Sequence, residues 1–321
     1  MVQSIGTPAL WLGFHAFVFV ALFIDLFLLH KEASQVSKRE AAVWSTIWIS
    51  SALAFGAGLW WFFGKDIGLQ FFAGYLIEES LSVDNLFVFM LVFSFFKVPE
   101  EFQHRVLFWG IFGAIVLRGL MIWMGVALLA RFEILIVILA LVLLYSSIKL
   151  LFTSEEEEED LSNNTIVKIA QKLIKVSPDY DGTKFRTVVE GVKVFTPLAL
   201  VLIVVELSDV VFAIDSIPAV FGVATDPFVI YSSNICAILG LRALYFLLAG
   251  TLAGMRFLQP CLALVLGFVG IKMILGYFGV HIETYVALGV VFGLLITGIF
   301  LSVLFPTISD SNETDSSSED I

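Results

Sequence analysis

The chain has 321 residues, of which 59% are hydrophobic and only 15% charged, with a mean hydropathy of +0.98. A soluble domain carries about 25% charged residues, so the composition excludes an ordinary water-soluble fold. The net charge of −11 lies largely in the run 155–160 and in the tail, and the basic patch that nucleic-acid binding requires is missing.

Nine helical spans are predicted in chain order, at about 10–29, 43–63, 70–95, 105–129, 132–152, 196–221, 228–250, 257–276 and 284–305. Each suits a hydrocarbon core of about 30 Å, in which backbone groups must bond internally. Short alternating strands of the β-barrel kind are not apparent. The first stretch lacks a basic flank and is too long for a signal-peptide core, so it reads as a retained span. The fold class is therefore all-α, a polytopic transmembrane helix bundle, with 1–305 as a single domain.

Two segments fall outside the spans. In the connection 153–194 the acidic run precedes an amphipathic stretch, with Ile166, Ile169, Leu173 and Ile174 on one side and Lys168, Lys172 and Lys175 largely on another. That pattern predicts a surface helix between two halves. Residues 306–321 are rich in Ser, Asp and Glu, the composition of a disordered tail. Cys236 and Cys261 both sit in apolar spans, which argues against a disulfide framework or a thiolate metal site.

Lysine and arginine counts predict orientation. The first, third, fifth and seventh connections hold twelve (Lys31, Lys38, Arg39, Lys97, Arg105, Lys168, Lys172, Lys175, Lys184, Arg186, Lys193, Arg256), whereas the alternate ones hold only Lys65 and Arg131. The N-terminus is expected outside, and the 153–194 connection and C-terminus in the cytoplasm.

The chain also repeats itself. Val83-Asp84-Asn85 matches Ile214-Asp215-Ser216, each with an acid six residues earlier, Glu78 and Asp209. Leu117-Arg118 then matches Leu241-Arg242, and Lys149 matches Lys272 after similar apolar runs. The units, about 70–152 and 196–276, hold three spans each, so the second enters from the opposite side. An inverted-topology repeat is typical of secondary transporters, whose sites lie near the midplane between repeats.

Seven acids fall inside spans: Asp25, Glu78, Glu79, Asp84, Glu206, Asp209 and Asp215. Each costs roughly 2.5–3.5 kcal/mol at a helix centre, so each needs a cavity or a partner. The expected oxygen ligands are Glu78, Asp84, Asn85, Glu206, Asp209, Asp215 and Ser216, with Arg118 and Arg242 as counter-charges. Asp25, Glu79 and Ser82 are further pathway positions, although Asp25 is near enough to a span end to be interfacial. Pro218 cannot donate to the Ile214 carbonyl, which frees another oxygen there. Such oxygen donors suit Mg²⁺, Ca²⁺ or Mn²⁺, so the predicted cargo is a hard divalent cation.

A blander reading makes Glu78, Asp84, Asp209 and Asp215 salt-bridge partners of the two arginines that merely fix packing. The acids outnumber the arginines and cluster, which favours the pathway. Lys149 and Lys272 are expected to snorkel, and His15, His30, His104 and His281 are too scattered for a metal role. No nucleophile–base pair, phosphate loop or cofactor motif points to an enzyme, and no permanently bound cofactor is predicted.

Gly74-Tyr75-Leu76-Ile77-Glu78-Glu79-Ser80-Leu81-Ser82-Val83-Asp84-Asn85 resembles the signature of the TerC family of integral membrane proteins, most closely its Alx branch. So do Val205-Glu206-Leu207-Ser208-Asp209 through Asp215-Ser216-Ile217-Pro218-Ala219, and Gly240-Leu241-Arg242. The family takes its name from tellurium resistance. The resemblance implies Mn²⁺ export, pH-linked in the Alx branch, from a bacterial inner membrane. It places metal-pathway acids at Glu78, Asp84, Asp209 and Asp215. It also leaves two alternatives: a Ca²⁺ transporter, and a factor in membrane-protein insertion or metal loading. The expected partners are the cation and the lipid bilayer, with oligomeric state open.

Overall fold

A computed structural model describes residues 4–27, 38–132, 134–152, 165–189, 191–248 and 257–305. Ten helices run through them: α1 (Pro8–Phe27), α2 (Lys38–Phe63), α3 (Lys65–Phe95), α4 (Glu100–Leu129), α5 (Leu135–Phe152), α6 (Thr165–Leu173), α7 (Pro197–Val223), α8 (Pro227–Leu248), α9 (Leu258–Tyr277) and α10 (Thr284–Leu304). Seven of these, α2, α4, α5 and α7 to α10, are long and apolar enough to cross a membrane. α3 is longer than any of them at 31 residues, but its charges set it apart, and α1 is a 20-residue apolar helix.

Each predicted span corresponds to a helix, yet α2, α3 and α4 begin about five residues early. Hydropathy locates the apolar crossing, whereas the helices continue into polar first turns such as Glu100 and Glu101 after Pro99. Pro218 lies within α7, which continues to Val223. The run 155–160 and the tail 306–321 fall outside the described residues.

The 153–194 connection departs from expectation. The amphipathic helix is there as α6, but a hairpin follows it, β1 (Arg186–Val189) pairing antiparallel with β2 (Val192–Phe195). Alternating branched residues favour strands, and Gly191 at φ 78° supplies the left-handed turn residue. The hairpin region docks on the turn between α3 and α4. Arg105 donates to Thr183 Oγ1 at 2.8 Å and lies over the Phe185 ring, while Tyr180 donates its hydroxyl to the Phe96 carbonyl. Hydrogen bonds from Thr187 and Lys184 hold the Asp181 carboxyl below its usual range.

α8 lies at the centre, with nearly all of its apolar length buried. Around it, α3 and α4 pack against both α7 and α8, α5 packs on α9, and α2 packs on α3 and α8. Exchanging the triplets α3–α4–α5 and α7–α8–α9 turns the α3–α8 contact into α7–α4 and leaves α3–α7, α4–α8 and α5–α9 in place. The α5–α9 seam is close because small residues line it. Ser147 donates to the Ala263 carbonyl at 2.7 Å, and a Cβ on Gly270 would lie 3.0 Å from the Ala140 carbonyl.

Gly270→Leu is expected to cost about 1–3 kcal/mol by overpacking that seam, lowering the melting temperature of purified protein. Gly289→Ala in α10, where the added Cβ meets nothing within 4 Å, should leave it unchanged or slightly higher. Equal melting temperatures for the two variants would show that the seam is not tight.

Candidate functional site

Four helices, two from each triplet, meet at one buried guanidinium. Arg118 of α4 is fully buried and ion-paired with Glu78 of α3, itself fully buried. From α7, Asp209 takes two bonds, Nη2 to Oδ1 at 3.0 Å and Nε to Oδ2 at 3.3 Å. From α8, Asn234 Oδ1 accepts from Nη1 at 3.4 Å, and the Asn234 amide donates to the Ile230 carbonyl. The fork of the guanidinium suits this bidentate arrangement. Helix geometry explains the convergence, since one inward-facing position on each helix is enough to place a charge at the common axis.

The other described acids point elsewhere. A residue six positions along a helix turns away by about 240°, so Asp215 leaves the side that Asp209 occupies. It faces α5, where Ser146 Oγ donates to its Oδ1 at 2.6 Å and Lys149 is its nearby cation. Glu79, one step from Glu78, turns toward α8 and lies about 4 Å from where a Cβ on Gly240 would stand. Glu206 lies against Gly113 of α4, occupying the space a methyl there would need. Glu79 has the Tyr75 hydroxyl as its neighbouring donor, whereas one oxygen of Glu206 and the hydroxyls of Ser82 and Ser216 are buried without a hydrogen-bond partner among the described residues. Asn85 is buried as well.

Arg242 is buried, and its Nη1 lies 3.5 Å from His104 Nε2. Lys272 does not simply snorkel, because its ammonium donates to the Gly222 carbonyl of α7 at 2.7 Å; the end of α7 approaches α9 closely enough to offer that acceptor. Asp25 and Asp84 lie in α1 and α3, with side chains outside those described. Among the described residues no three of His, Cys, Asp and Glu come together as a metal cluster. The groups that do meet are Glu78 and Asp209, with Arg118 between them.

Several residues escape a search for acids inside the spans. Asn234 belongs to the buried run Ser232-Ser233-Asn234 in α8, three polar residues inside an apolar stretch and hence a readable signal. Ser146 and Gly113 gave none, because a single serine or glycine is ordinary in a membrane helix. Asp226, also buried, caps α8 through the Phe228 and Val229 amides and accepts from Ser4 and Ile5 as well. Its position just before Pro227 is the usual signature of a helix start.

The chain is similar to known proteins over most of its length. It is 46% identical to a membrane protein of Myxococcus xanthus across 97% of both chains. The thylakoid membrane protein TERC of the Arabidopsis thaliana chloroplast is 53% identical over 79% of this chain and 66% of that protein. Alx of Escherichia coli K12, described as a candidate membrane-bound redox modulator, is 43% identical over 92% of this chain and 94% of that protein. No solved structure matches the chain. A family model for the integral membrane protein TerC family matches residues 63–311, a segment that contains all four helices of the Arg118 centre, and the chain belongs to that family.

Proposed function

We propose that this protein carries a hard divalent cation, Mn²⁺ above all, across the membrane, and that Glu78 and Asp209 form the centre of its path. The supporting observation is the meeting of these acids, one from each sequence repeat, at a fully buried point on the bundle axis. Intramembrane carboxylates are costly unless used, and among the described residues Glu206, Ser82 and Ser216 add buried oxygens without hydrogen-bond partners. Carboxylate, amide and hydroxyl oxygens are the donors that Mn²⁺, Mg²⁺ and Ca²⁺ prefer. The choice of Mn²⁺ rests on the family resemblance.

The same reading has α1 and α3 crossing along with the seven apolar helices, which gives nine spans. α3, with 31 residues, is about 46 Å long at 1.5 Å per residue, ample for a core of about 30 Å. The exchange of contacts between the triplets supports an inverted repeat, and the lysine and arginine distribution puts the N-terminus outside. Reporter fusions at Ser162 and at the C-terminus are both expected to read cytoplasmic. A signal from the opposite side at either position would break the repeat argument.

Transport is best tested in proteoliposomes, with Mn²⁺, Ca²⁺, Mg²⁺ and Zn²⁺ compared. Mn²⁺ flux is expected; Ca²⁺ flux alone would move the ion assignment, and no flux of any ion would turn attention to membrane-protein biogenesis. Acid variants separate path from packing. Asp215→Asn and Glu206→Gln keep their shape and leave no arginine stranded, so both should accumulate normally and lose at least about tenfold in flux, a barrier increase of about 1.4 kcal/mol. Glu78→Gln removes half of a buried ion pair, which costs about 3–5 kcal/mol, so its abundance should fall and Glu78→Gln/Arg118→Gln should restore it. Wild-type flux in both Asp215→Asn and Glu206→Gln would remove those residues from the path.

A further inference from the structure

We propose that Arg118 is a tethered competitor for the transported ion: its guanidinium occupies the place between Glu78 and Asp209 that a divalent cation takes, and the ion binds only as the guanidinium withdraws. The inference rests on the cation-carrier reading above and assigns the arginine a part within it.

Three observations carry it. The guanidinium already does what a bound cation would do, since it pairs with Glu78 and takes Asp209 with two of its nitrogens. Both acids are thereby committed while Arg118 stays where it is. Charge makes the two cations exclusive. Two carboxylates with one guanidinium leave one negative charge, two carboxylates with a divalent ion leave none, and all three together leave a net positive charge in a site with almost no water access. Finally, the guanidinium has a neutral acceptor beside the acids. Asn234 Oδ1 already accepts from Nη1 at 3.4 Å and makes no claim on either carboxylate, so it is the one contact that the ion does not contest when the guanidinium gives up both acids and withdraws.

A monovalent ion that displaced the guanidinium would bring no more charge than it removed, whereas a divalent ion gains one unit. The device therefore sharpens the preference for a doubly charged ion that two carboxylates already have. It also leaves the empty carrier with its central acids neutralised in part, so that the unloaded protein is not held open by bare charge.

The test is Mn²⁺ binding to the full chain in lipid nanodiscs, measured by titration calorimetry on wild type, Arg118→Gln and Arg118→Lys. Loss of the competitor should tighten Mn²⁺ binding by about tenfold or more in Arg118→Gln. Arg118→Lys keeps the charge but not the bidentate fork, so it should gain about threefold, from one weakened charge-assisted bond. Millimolar free guanidinium should reverse the gain in Arg118→Gln and leave wild type unaffected. If Arg118→Gln fails to fold, Arg118→Lys decides, with size-exclusion profile and melting temperature checked alongside. Folded Arg118→Lys that binds Mn²⁺ as wild type does, or more weakly, overturns the competitor role while leaving the carrier reading intact. Absence of Mn²⁺, Ca²⁺ and Mg²⁺ binding in wild type and both variants defeats the carrier reading, and the competitor role falls with it.

Discussion

A guanidinium without access to water constrains whatever packs around it. Arg118 is fully buried, and an arginine at that depth persists only if its donors are met by acids or other acceptors. Those acceptors come from α3, α7 and α8, while the arginine itself comes from α4. The contacts of the bundle centre follow from this arrangement, since α3 and α4 each pack against both α7 and α8. Apolar packing in lipid is weakly directional, because lipid tails are as apolar as the side chains they replace. A shared ion pair gives the two triplets a fixed register that leucine and valine contacts alone would not impose.

Close approach of backbones works alongside the charges. Gly113 leaves room on α4 for the Glu206 carboxylate of α7, and Gly270 lets α9 sit against the α5 backbone. The two positions serve different ends, one admitting a polar group between helices and the other bringing the α9 backbone against the Ala140 carbonyl and the Leu143 and Leu144 side chains. Between the triplets, the α6 and hairpin segment ties itself to the α3–α4 turn through Arg105 and Tyr180. The long connection is thus anchored to the same pair of helices that supply Glu78 and Arg118.

Much of this was readable in the chain. Nine apolar runs became nine helices because helix is what a chain without water must form, and Glu78, Asp209 and Arg118 stood out because charges among apolar residues are rare. Helix starts were read late where polar first turns lie beyond the apolar run, as at Glu100 and Glu101. The hairpin was hidden because strands of four residues, such as Arg186–Val189 and Val192–Phe195, carry little signal beside long helices. The arrangement of the acids around one another was less legible than their identity. The sequence groups Asp209 with Asp215 because they are neighbours in the repeat, but six residues of helix place them on different faces. Partner choice was the least legible feature: Asn234 and Ser146 acquire their roles from helices that are distant in sequence, and no spacing rule within one helix reveals them.

Asp226 carries a further implication for how the halves are divided. One of its oxygens meets the first amides of α8 and the Ser4 hydroxyl, and the other accepts from the Ile5 amide. Nearby, Trp11 and Phe14 of α1 stack edge-on against Phe228 of α8, and His15 lies over Tyr231. The first helix of the chain is therefore a passenger of the second triplet, although it precedes the first. Because one carboxylate serves both, loss of Asp226 would release the Ser4–Ile5 segment and the start of α8 together.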